Sequence, residues 1–172
     1  MELRFTTPNL RRLDLLGSEV LVAAITTDER PPHGTAGLVD WRLSGRISRL
    51  LLRGFATGRS GEVLLVPGTP KLPFDKVLLF GVGDSSTFDE AAYRVLLDRI
   101  LSTLEGLRAR TAVVELPGRH FGAIAPELAA DILLERTAGR REHDVWTLIE
   151  PPEAQRTITQ HMIQERRRVR TE

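Results

Sequence analysis

The sequence predicts a three-layer α/β/α domain with a mixed, mostly parallel sheet. Three observations predict it. From residue 60 onward, apolar runs of strand length alternate with longer amphipathic stretches of helical period, the pattern of strands joined by crossover helices. "GEVLLVPG" and "KVLLFGVG" are continuous apolar runs, as expected of strands covered on both faces. Those two runs are joined by "GTPKLP", too short for a helix, so one strand of the pair should run antiparallel.

Each element has its own local reason. "LRFT" and "EVLVAAIT" are short, apolar or β-branched, and bounded by turns, so they read as two strands; "TTDERPPHGTAG" is a polar loop after them. Residues 36 to 54 read as one helix. Thr87 with Glu90 three residues later suggests a capping box, followed by an apolar stripe of Tyr93, Leu96, Leu97, Ile100, Leu104 and Leu107. "TAVVEL" is the next strand. Pro126 suits the first turn of a helix running to about Ala138, and Gly139 suits its end. "DVWTLIE" is the last strand. The last helix carries Ala154, Ile158, Met162 and Val169 on one side, with cations near its end that suit the helix dipole. Residues 1–165 read as a single domain and 166–172 as a basic C-terminal tail.

Composition bounds the function. The chain has 172 residues, 41% hydrophobic and 27% charged, enough for one real core. A formal net charge of +1 makes any nucleic-acid role depend on a local patch. Without cysteine there are no disulfides, thiolate chemistry or cysteine metal ligands, which fits a cytoplasmic protein. The first apolar run, "VLVAAI", is too short to span a bilayer and follows Arg4, Arg11, Arg12 and Asp14, so neither a targeting signal nor a membrane role is expected.

Several stretches together resemble the N-terminal domain of the leucine aminopeptidase family, hexameric two-metal peptidases. "AGLVDWRLSGRISRLLLRGFATGRSGEVLLVPG" resembles the family's turn, long helix and strand; "KVLLFGVGDSSTFD" resembles its strand, Gly-x-Gly turn and helix; "APELAADILLERTAG" resembles the helix before its catalytic domain. The resemblance spans roughly residues 18 to 150 and implies a macro-domain-like fold. It also implies that peptidase chemistry belongs to a separate C-terminal domain, whose lysine and carboxylate ligands hold two metal ions. No stretch here resembles that domain's acid-rich "NTDAEGR"-type signature. The expectation is therefore a non-catalytic chain with no catalytic residue to carry over.

The candidate sites are few. His33, His120, His143 and His161 are scattered without H-x-x-x-H or H-E-x-x-H spacing, so no metal or other cofactor is expected. "GRSGE" lacks the nucleophile elbow of serine hydrolases. The best ligand candidate is "GVGDSS", with Gly81, Gly83, Asp84, Ser85 and Ser86 between a strand and a helix start, where free amides and glycine backbone suit an anion such as a nucleotide phosphate. Against it, the full G-x-G-x-x-G pattern is missing and Asp84 puts a negative charge in the mouth.

The predicted helix over 36–54 raises the other candidate. Val39, Leu43, Ile47, Leu50 and Gly54 fall on one side of it, and Leu38, Trp41, Gly45 and Leu52 about opposite. Arg42, Arg46, Arg49 and Arg53 occupy the strip between. One apolar side belongs against the sheet. The second needs either a helix of the same chain or another subunit, and both readings stay open. Tryptophan flanked by arginine is what protein interfaces favour, so Leu38, Trp41, Arg42, Arg46, Arg49, Leu52 and Arg53 are the interface candidates. The leading expectation is self-assembly, as a homo-oligomer, or binding of a protein partner in a scaffold or regulatory role. The alternatives are a small-ligand module at "GVGDSS", a DNA-binding accessory using the arginine row and Arg166, Arg167, Arg168 and Arg170, and a partner of a separately encoded catalytic domain.

Overall fold

The structure is a computed structural model, and it describes residues 1–169. Six strands form one sheet: β1 (Glu2–Thr6), β2 (Ser18–Thr26), β3 (Val63–Pro67), β4 (Phe74–Gly83), β5 (Thr111–Val114) and β6 (Val145–Ile149). Their order across the sheet is β1-β6-β5-β2-β4-β3. All neighbours pair in parallel except β3, which runs antiparallel to β4 with Leu65 opposite Leu78, as the short connection predicts.

Alternation along the strands divides the core in two. Val20, Val22 and Ala24 of β2 with Leu78 and Phe80 of β4 face a layer made of α4 (Glu90–Gly106) and α5 (Pro126–Thr137). Leu21, Ala23 and Ile25 with Val77 and Leu79 face the other layer, made of α1 (Leu10–Leu13), α2 (Gly34–Arg42) and α3 (Arg46–Leu52). Successive side chains of a strand point to opposite faces, so a strand covered on both faces must be apolar throughout. α6 (Pro152–Val169) packs on α5. It buries Ala154 and Ile158 in its first half, while Val169 at its end is exposed, so the predicted apolar side is used over only half its length. α6 continues through Arg166, Arg167 and Arg168 without a break; Arg170 and the rest of the predicted tail lie outside the described residues.

Two elements differ from the sequence reading. The single helix expected over 36–54 is two helices, broken at Ser44 and Gly45, which both take positive φ (57° and 78°). Glycine makes that conformation accessible, and buried Asp40 consolidates the break by accepting hydrogen bonds from the Ser48 N–H and hydroxyl, which starts α3. The predicted capping box at Thr87 is also displaced. Thr87 lies in a short 3-10 turn, and α4 starts at Glu90 behind Asp89, whose side chain accepts from Ala92 N at 2.9 Å. Phe88, extended and buried between them, sets the offset. The stripe from Tyr93 to Leu104 is buried as predicted; Leu107, past the helix end, is exposed.

Candidate functional site

After β2 the chain turns to the α2–α3 layer, and after β5 it turns to α5 on the other side of the sheet. The crevice between these strand ends is where an open α/β sheet seats a ligand. Here it is filled by the chain's own charges. Glu115, just past β5, accepts from both the N–H and the hydroxyl of Thr35 (2.9 and 2.6 Å). His120 sits between two carboxylates, with Nδ1 3.1 Å from Glu115 and Nε2 2.8 Å from Glu29. Glu29 also meets His33 at 2.8 Å and the Thr26 hydroxyl at 3.1 Å. A side chain on Gly34 would place Cβ 2.6 Å from the His120 ring, so glycine there is what lets the ring close over the strand ends. Burial by itself would push the His120 pKa down; the hydrogen bonds and charges of Glu115 and Glu29 outweigh it and raise it to about 9. Beside this group, Arg119 makes a two-pronged ion pair with buried Glu150 at the end of β6 (2.8 and 3.0 Å).

Sequence reasoning treated His120 as a scattered loop histidine and did not select Glu115 or Glu29. The available signal was an acid closing an apolar strand, "TAVVEL", five residues before a histidine.

The glycine turn lies at the end of β4. Gly81 is needed for a close approach, but the approaching backbone is the chain's own: a Cβ there would lie 2.0 Å from the Arg59 carbonyl oxygen. Gly81 and Gly83 donate their amides to the Glu62 and Gly58 carbonyls. The turn amides are likewise taken. Ser85 N–H and hydroxyl donate to the Asp28 carboxylate, which lowers the Asp28 pKa, and Ser86 N–H donates to Asp84 at 2.8 Å. Two carboxylates therefore stand where an anion would need free donors. On this geometry, ADP-ribose or nucleotide added in excess should leave the melting temperature unchanged; saturation at a hundred times a dissociation constant would add about 2.7 kcal/mol.

The interface candidates lie on the outer side of α2 and α3. Trp41 is 75% exposed and Leu52 83%, and Phe55, just after α3, is 75% exposed. Leu38 is half-buried and packs against the core. Because of the break, the arginines do not form one row. Arg42, on α2, pairs with both Asp14 oxygens (2.8 and 3.0 Å). Arg49, on α3, donates to the Ser44 carbonyl at the break. Arg46 and Arg53 are exposed and have no carboxylate partner among the described residues.

Several other titratable groups make local contacts. His143 is buried against Trp146, edge to face, and meets Glu105; His161 meets Asp131; Arg168 meets Glu165. Among the described residues, no group of three or more His, Asp or Glu is arranged to hold a metal ion, and no helix is long and apolar enough to cross a membrane.

Comparison with known proteins agrees with this architecture. Residues 21–137 match the model of the cytosol aminopeptidase family, N-terminal domain. A probable cytosol aminopeptidase of Pseudomonas aeruginosa is 35% identical over 127 residues, 74% of this chain and 26% of the relative. One of Idiomarina loihiensis is 37% identical over 93 residues, 54% of this chain and 19% of the relative. The chain thus spans about a quarter or less of the length of the curated relatives it matches. Among solved structures, a Trypanosoma brucei macrodomain in complex with ADP superposes with TM-score 0.72 at 17% identity, covering 94% of this chain and 69% of that one. A mutant tomato leucine aminopeptidase gives 0.62 at 18% identity, covering 94% of this chain and 35% of that one. The fold is macrodomain-like, and the chain belongs to the cytosol aminopeptidase family by its N-terminal domain.

Proposed function

We propose that this chain is a non-catalytic, cytoplasmic member of that family which acts by self-assembly, using the outer face of α2 and α3. The observation that carries the reading is the exposure of Trp41, Leu52 and Phe55 within one helix–turn–helix unit. Three large apolar side chains left bare within residues 41–55 are the basis for an interaction surface here, and tryptophan is among the residues that dominate binding energy. The reading is further supported by the crevice at the strand ends, which Glu29, His120 and Glu115 occupy by engaging one another.

Trp41→Ala tests the face. Because the side chain is exposed, the variant should keep its melting temperature yet lose about 2 kcal/mol or more of association, roughly thirtyfold in affinity. Light scattering and a denaturant melt on this variant separate assembly from folding; a destabilised variant with unchanged assembly would place Trp41 in the chain's own core. The non-catalytic half of the proposal has a separate test. Purified protein supplied with zinc or manganese should release no amine from leucyl-anilide substrates above buffer. Chelator-sensitive hydrolysis that survives repurification would contradict it.

A further inference from the structure

We infer that the cleft beside α4 is a binding site for a small apolar carboxylate, a molecule with a short hydrocarbon body ending in one carboxylate group. The site is independent of the assembly face, because α4 covers the opposite side of the sheet from α2 and α3. The cleft has a volume of about 370 Å³ and lies between α4 and the turn that precedes β3. Val82, Phe88 and Leu96 line it as buried groups, and Val95 lines it while 73% exposed. Ala91 and Ala92, in the first turn of α4, also line it, and their short side chains leave the space open. Such a lining favours a hydrocarbon group over water.

The charge around the cleft selects the other end of the ligand. No carboxylate lines it, and Arg99 does. Arg99 has no carboxylate partner among the described residues. Its neighbour Asp98 pairs with Arg136 and Arg140 instead. Three and four places away on the helix stand Val95, Leu96, Ser102 and Thr103, so α4 supplies no counter-charge. The turn of residues 59–62 is closed by the Glu62 N–H on the Arg59 carbonyl, with Gly61 at φ 88°, as a type II turn requires. The N–H groups of Ser60 and Gly61 have no hydrogen-bond partner among the described residues, and both residues line the cleft. The turn's own carboxylate, Glu62, is engaged by Thr57 and Gly58. A guanidinium, two open amides and the Ser60 hydroxyl around an apolar lining are complementary to a carboxylate with a hydrocarbon tail, and unfavourable to an amine with the same tail.

The test is ligand-observed NMR on the full chain, with hexanoate as the probe. Saturation transfer to hexanoate should be strongest at its methyl end and should saturate with concentration. Hexylamine, with the same tail and the opposite charge, and acetate, with the charge and almost no tail, should each bind at least about tenfold more weakly. Arg99→Gln should weaken hexanoate binding by about tenfold or more. Ala91→Leu, which fills the cleft and leaves the charge, should remove binding. Ala91 is exposed and Arg99 partly so, and unchanged melting curves verify that both variants fold. Hexanoate that does not bind the wild-type chain, that binds no better than hexylamine, or that keeps its wild-type affinity for either variant overturns the site, and each of these results leaves the α2–α3 face with its proposed role.

Discussion

Glu150→Ala lowers folding stability by about 3–5 kcal/mol. Its carboxylate is 2% exposed at the end of β6, and both oxygens are held by Arg119, itself only 11% exposed, at 2.8 and 3.0 Å. Arg119 spends its remaining reach on the Ile124 carbonyl at 2.7 Å, so the pair fixes the segment between β5 and α5 to the end of the sheet. Removing one member of a buried pair leaves the other charged and unsolvated, which costs far more than the pair's net contribution. Glu150→Gln, which keeps an acceptor for one prong, should cost less. Urea melts of the two variants check this; a loss under about 1 kcal/mol for Glu150→Ala would mean that water reaches Arg119.

The second large effect is on stability against pH. His120 titrates at about 9 in the folded chain, against 6.5 for a free imidazole. The folded state therefore holds the proton more tightly than the unfolded one. The stabilisation is fully present below about pH 6.5 and is lost as pH rises through 9. One proton gives a fall of at most about 1.4 kcal/mol per pH unit in that window. Glu115→Gln should flatten the slope, and the imidazole resonances followed by NMR should move the His120 midpoint down toward 6.5. A wild-type His120 that already titrates near 6.5 would show that the two carboxylates do not clamp it.

The sheet and the helix stripe of α4 were legible because burial on both faces leaves a plain mark: unbroken apolar runs and a 3.6-residue period. The break at Ser44 was not. Val39, Leu43, Ile47 and Leu51 recur every four residues and all reach the same core, because α2 and α3 lie against one face of the sheet. Apolar spacing therefore continues across a backbone break, and only the left-handed Gly45 marks it. The side expected to carry Leu38, Trp41 and Leu52 divides in the structure: Trp41 and Leu52 are exposed, whereas Leu38 packs against that same core. The ionic cluster was not legible, since Glu29 and His120 are 91 residues apart and meet only where two parallel strands end side by side. The glycines of "GVGDSS" did signal a close approach, but a sequence does not say whether ligand or chain approaches. Here it is the backbone of residues 58–62.

Molar mass by light scattering over a concentration series, on the wild-type chain at low salt, tests self-assembly most directly. The exposed Trp41, Leu52 and Phe55 predict a mass that rises above the 19.2 kDa of one chain as concentration increases, and that Trp41→Ala returns to it. A wild-type mass that stays at 19.2 kDa up to the highest soluble concentration contradicts the account.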